Sequence, residues 1–255
     1  MTRVPTGGKR DLVSAAKYFH LAPVVGLLTG LVAWGAALLA THVLKDAGVG
    51  AATYLITYIL FTGGIHVDGF ADYFDAVGAG ARGEAALRIM KDPRKGAFAV
   101  MAIAANFVLT YALATHALTH LSTTGVIPAL MAYAVLTAGH VASAEAMFIS
   151  AAAGTPEPYE GMGRAFVELS GSRKAVASNM LVMTIIAAAY FAFLGPRCAA
   201  TLTVIVGFSA LASLLVVLDA ERRLGFVNGD VLGTAYEVGR LAALATLAAL
   251  LGPLT

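Results

Sequence analysis

The sequence predicts an all-α, polytopic integral membrane protein, a bundle of about seven transmembrane helices with a cytoplasmic N-terminus. Three observations carry this. Of the 255 residues, 59% are hydrophobic and 13% charged, with a mean hydropathy of +0.80, where soluble domains carry about 25% charged residues. The apolar residues gather in runs near the roughly 20 residues a bilayer crossing needs. The Lys and Arg residues crowd into alternate connections between those runs.

The runs fall at 21–44, 49–65, 96–121, 125–147, 175–195, 199–218 and 231–252. The first follows Arg3, Lys9 and Arg10 and is too long for a cleaved signal peptide, so it reads as a retained span. Its Gly26 and Gly30 form a small-xxx-small pair for helix packing. The second is short, and Gly63-Gly64 lets its helix continue or bend into a charged segment. The third carries His116 and His120 near its outer end, and the fourth His140 and Glu145 near its cytoplasmic end. Before the fifth, "YEGMGRAF" (159–166) reads as a Gly-rich loop suited to fold over a substrate. Four connections hold 14 basic residues: Arg3, Lys9, Arg10 and Lys17; Arg82, Arg88, Lys91, Arg94 and Lys95; Arg164, Arg173 and Lys174; Arg222 and Arg223. The alternate connections hold only Lys45 and Arg197. The basic side is cytoplasmic by the positive-inside rule. No repeat or linker divides residues 1–255, which read as one domain. The single Cys198 excludes an intrachain disulfide, and no Cys/His spacing fits zinc. A net charge of +2 gives no sign of a nucleic-acid partner. The lipid bilayer is the expected surrounding, and Gly-rich faces allow a homodimer.

The stretch "GGIHVDGFADYFDAVGAGARGEAALRIMKDPRKGAF" (63–98) breaks the apolar pattern. On a helix Asp68, Asp72 and Asp75 share one face, at i, i+4 and i+7. Like charges so spaced repel, and a charged Asp at membrane depth costs roughly 2.5–3.5 kcal/mol on insertion scales. A bound cation resolves that conflict, and oxygen-only ligands favour Mg²⁺ or Mn²⁺. Arg88, Lys91, Arg94 and Lys95 by themselves would be a snorkelling belt. Beside carboxylates that hold a metal they read as phosphate contacts. The segment 222–240 repeats the theme: Asp230 and Glu237 share a helical face, with helix capping and a Glu237–Arg240 ion pair as the plain alternatives.

Together "GGIHVDGFADYFDAVG" (63–78), "RIMKDPRKGAF" (88–98), "EGMGRAF" (160–166) and "GDVLGTAYEVG" (229–239) resemble the cobalamin synthase family, membrane-bound adenosylcobinamide-GDP ribazoletransferases. The resemblance runs from about residue 18 to the last span. It implies a Mg²⁺-dependent prokaryotic cell-membrane enzyme with its site facing the cytoplasm. Adenosylcobinamide-GDP and α-ribazole or its 5′-phosphate would be joined with release of GMP. On the matching positions, Asp68, Asp72 and Asp75 become expected metal ligands. Asp92, His66 or Asp75 is then expected to act in catalysis as base or ligand, and Arg88, Lys91, Arg94, Arg164, Asp230 and Glu237 to bind substrate. The chain departs from the family pattern at Lys95, Ala99, His140 and Arg240. A lipid-directed CDP-alcohol phosphotransferase fits less well, because "GGIHV" stands where its motif needs an acid pair before Asp-Gly. A cation transporter fits least: its acids belong near the midplane and in related halves.

Overall fold

The computed structural model describes residues 12–123 and 129–251; Arg3, Lys9 and Arg10 lie outside them. The described chain contains no strand. Its helices are α1 (Leu12–Lys17), α2 (Ala22–Leu44), α3 (Ala47–Thr62), α4 (Ile65–Gly78), α5 (Gly83–Met90), α6 (Ala97–Thr123), α7 (Ala129–Ala153), α8 (Met162–Ser170), α9 (Arg173–Leu194), α10 (Pro196–Arg223) and α11 (Gly229–Leu251), with a 3₁₀ turn at Phe19–Leu21 before α2. Among the described residues six helical stretches are long and apolar enough to cross a membrane, and the bent pair α3–α4 makes a seventh. The chain is thus a polytopic helical membrane protein.

Local sequence sets the helix ends. Asp46 accepts the Val49 N–H at 2.8 Å to start α3, and Ser172 accepts the Ala175 N–H at 3.2 Å to start α9. Pro196 opens α10 where a helix lacks a use for its N–H. The fourth apolar run, whose residues 125–128 lie outside the described ones, extends past its expected end at 147 as Phe148 to Ala153 continue α7, with Phe148, Ser150 and Ala151 buried in the bundle. The sixth extends likewise, and its extra turn carries Asp219, Arg222 and Arg223 beyond the apolar stretch.

α7 is the central helix. Its alanines at 138, 142, 144 and 146 are fully or almost fully buried, and small residues let α2, α10 and α11 pack close around it. α9 and α6 lie outermost, with Met180, Leu181, Phe191, Val108 and Leu109 pointing outward; Phe193 is 83% exposed. That much bare aromatic surface belongs in lipid rather than water.

α3 and α4 meet at 93°. Gly63 and Gly64 take φ of +69° and +70° there, a left-handed conformation that glycine adopts without a Cβ clash. The turn sends α4 across one end of the bundle. Gly78 packs on Phe98 at the start of α6, Gly69 and His66 pack on Asp230 and Gly233 at the start of α11, and Tyr73 reaches Asp219 at the end of α10. Phe19 stacks edge-on against Phe166 at the same end, so the described N-terminal residues share it. The described parts of the basic connections therefore gather at one end.

Candidate active site

The crossing of α4 over α11 positions the site. A Cβ on Gly69 would stand 2.9 Å from the Asp230 Cα, and one on Gly233 3.1 Å from the His66 carbonyl oxygen. Both glycines are needed for the two backbones to come this close. The approach brings Asp68 and Asp72 on α4 within electrostatic range of Asp230, along with Lys95 and Glu157.

Asp68 and Asp72 are joined by one cation. The Lys95 Nζ lies 2.7 Å from an Asp68 oxygen and also donates to Asp72. Partial burial opposes the Lys95 charge, but its hydrogen bonds to the two aspartates outweigh this and hold its pKa above the ordinary lysine value. Asp72 is the deeper of the pair, 13% exposed against 65% for Asp68.

Asp75 does something else. Its carboxylate accepts the Gly96 N–H at 2.9 Å and the Ala99 N–H at 3.2 Å, satisfying donors that the first turn of α6 would leave bare. The expected three-carboxylate metal set is therefore not assembled. Among the described residues no group of three or more His, Cys, Asp or Glu side chains is placed to hold a metal ion. Asp68 and Asp72 alone, oxygen donors already gathered on a cation, fit a Mg²⁺-type ion that keeps several waters.

Beside this pair lies a cleft of about 200 Å³ lined by Lys91, Glu157, Tyr159, Glu160, Asn228 and Asp230, with Gly161, Gly163 and Gly229 as its backbone walls. Asn228 caps α11, accepting N–H bonds from Asp230 at 3.1 Å and Val231 at 3.0 Å. Asn228 thus takes the capping role that was the plain alternative for Asp230, and Asp230 lines the cleft. Glu157, buried beneath the loop, accepts the Arg164 N–H at 3.0 Å and anchors the start of α8. Lys91 lies 4.3 Å over the Tyr159 ring. Burial, with Glu157 beside it, pushes the Tyr159 phenol up to about 12, so it stays a neutral donor.

Other expected site residues are engaged elsewhere. Asp92 and Arg94 hold each other through bonds of 3.0 and 2.8 Å, with the Arg94 N–H adding one at 2.9 Å. These bonds hold the Asp92 carboxyl at about 2, which makes it a weak base. Arg88 is exposed on α5, and Arg164 pairs with Glu168 at 2.7 Å along α8. His66 turns inward and stacks on Tyr236 at 4.2 Å.

Glu237, expected to meet substrate, is fully buried. It takes bonds from Tyr58, from Asn106 at 3.0 Å and from Arg240 at 2.7 Å, while Arg240 also bonds Thr110 and Asn106. This ties α3, α6 and α11 together below the site. A second tie joins α3, α7 and α11, with Tyr54 and Tyr236 each 2.9 Å from a His140 ring nitrogen.

Tyr159 opens the stretch read as a Gly-rich loop, of which Met162 onward is helix α8; its place in the cleft, Glu157 and Asn228 were not singled out from the sequence. Asn228 carried a readable signal, an Asn just before Gly-Asp and an apolar run. Glu157, and the position of Tyr159 in the cleft, became visible only when α8 met the start of α11.

With this geometry in place, the chain can be compared with known proteins. The profile of the cobalamin-5-phosphate synthase family matches residues 1–248. The chain belongs to that family. It is similar to the adenosylcobinamide-GDP ribazoletransferases of Clostridium acetobutylicum, at 28% identity over 98% of this chain and 93% of the relative, and of Ralstonia nicotianae, at 33% over 97% and 91%. That of Ralstonia pickettii is 31% identical over 94% and 88%. No solved structure matches the chain. Family membership places the chain in cobalamin biosynthesis and agrees with the resemblance read from the four motifs.

Proposed function

We propose that this protein joins adenosylcobinamide-GDP to α-ribazole or its 5′-phosphate, at a site facing the cytoplasm of a prokaryotic cell membrane. The observation that carries this reading is the convergence of Asp68, Asp72, Asp230 and Lys91 at one end of the bundle, beside the α8 cleft. Phosphoryl-type transfer needs charge neutralisation at phosphate oxygens and a group to receive a proton.

In this reading a ribose hydroxyl of ribazole attacks the phosphate carried by the corrinoid. A new P–O bond forms, the P–O bond to GMP breaks, and GMP leaves with the electron pair. Asp68 and Asp72 would hold Mg²⁺ or Mn²⁺, which when bound supplies Lewis-acid stabilisation of the phosphate oxygens. Lys91, at the cleft mouth, pairs with the diphosphate. Asp230 lines the cleft and accepts the hydroxyl proton, a role for which Asp92, bound to Arg94, and His66, buried on Tyr236, are badly placed.

The test is GMP release by detergent-purified protein given both substrates, with and without Mg²⁺, beside Asp72→Asn. Metal-dependent release that requires both substrates and falls by at least about 100-fold in the variant is expected, the scale of losing a main electrostatic group. Well-folded protein that releases no GMP would overturn the reading and direct attention to CDP-alcohol substrates.

A further inference from the structure

We propose that Lys95 is a built-in counter-cation that holds the Asp68–Asp72 pair until a divalent ion displaces it, so that Lys95 sets the protein's affinity for that ion. This rests on the reading above that the pair holds a metal. Lys95 lies on the connection between α5 and α6, four residues from Lys91 and just before Gly96. Its ammonium touches both carboxylates, 2.7 Å from Asp68 and in direct contact with Asp72.

The aspartates stand one helical turn apart, where like charges repel. The ammonium cancels that repulsion and so occupies the place a second cation would need. Asp75, the other carboxylate on the face, is spent on the N–H groups of Gly96 and Ala99 and cannot offer the ammonium a new partner without uncapping α6. A doubly charged ion neutralises the pair better than one ammonium, but it must first break both Lys95 contacts. The lysine stem is long and 32% exposed, so the ammonium can swing out. Once released it stands on the same connection as Lys91, where diphosphate oxygens give it a new partner.

The measurement is Mn²⁺ binding to purified, substrate-free protein, followed by electron paramagnetic resonance of the free ion. Wild type is compared with Lys95→Met, Lys95→Arg and Asp72→Asn, each checked for folding by circular dichroism. Lys95→Met should bind Mn²⁺ about tenfold more tightly, the scale of losing two partly exposed ion pairs. Lys95→Arg should stay within a few-fold of wild type, and Asp72→Asn should lose the site. Equal or weaker binding by Lys95→Met, with binding still abolished by Asp72→Asn, overturns the inference and leaves the metal reading standing. No saturable Mn²⁺ binding by folded wild type and folded Lys95→Met overturns both.

Discussion

Single residues here divide into those that face the cleft and those that hold the helices beneath it. Glu237 and Arg240 belong to the second group: they are 0% and 1% exposed and satisfy each other. Removing one partner of a buried pair strands the other charge, at a cost of about 3–5 kcal/mol, whereas removing both is far cheaper. Arg240→Met should therefore lower the thermal midpoint in detergent sharply, and adding Glu237→Gln should recover much of the loss. A double variant no more stable than Arg240→Met would show that the pair is not what holds α6 against α11. Asp92 gives a pH prediction. Its folded value of about 2 lies below that of an ordinary carboxylate, so its bond to Arg94 is fully present above about pH 4 and lost as pH falls through 2. Asp92 therefore keeps one charge state across the neutral range. Asp92→Asn should leave the acid limb of the pH profile for GMP release in place, and disappearance of that limb would restore Asp92 as the base.

At the level of elements, the contact between α4 and α11 decides whether a site exists. The Asp230 backbone that a Gly69 side chain would strike cannot rotate aside. Gly69→Val should force the helices apart, cost about 1–3 kcal/mol, and reduce GMP release by separating Asp68 and Asp72 from Asp230. Gly207→Ala on α10 is the control: a Cβ there meets nothing within 4 Å, and alanine favours a helix over glycine by up to about 1 kcal/mol. Equal losses in both variants would mean that glycine substitution is harmful in general and that the crossing is not special. This level also shows what the sequence could convey. Six of the seven apolar runs form helices that pass alone as membrane spans, the second does so only with α4, and of the two paths left open at Gly63-Gly64 the chain takes the bend. Helical periodicity names a face but not how each residue on it is used. Asp75 is consumed by N–H groups 21 and 24 residues further on, and Glu237 by side chains from α3 and α6. Those pairings exist only in the packed bundle.

For the molecule as a whole, the question is which side of the membrane the site faces. The described N-terminal residues, the α4–α6 segment, α8 and the start of α11 lie at one end. Lys45, between α2 and α3, and Arg197, in the first turn of α10, lie at the other. A 14-to-2 division of basic residues between the two sets of connections is the basis on which the basic end is proposed to face inward. Direct labelling checks this, because Cys198 is the chain's one cysteine and can be replaced by Ser beforehand. In that background Lys45→Cys and Arg197→Cys, both at exposed positions, should react with a membrane-impermeant maleimide in intact cells. Arg88→Cys and Arg173→Cys, also exposed, should react only after the membrane is opened. The reverse pattern would put Lys91, Asp230 and the Asp68–Asp72 pair outside the cell. A GDP-activated substrate would then have to be exported to reach them, and the proposed reaction would lose its supply of substrate from the cytoplasm.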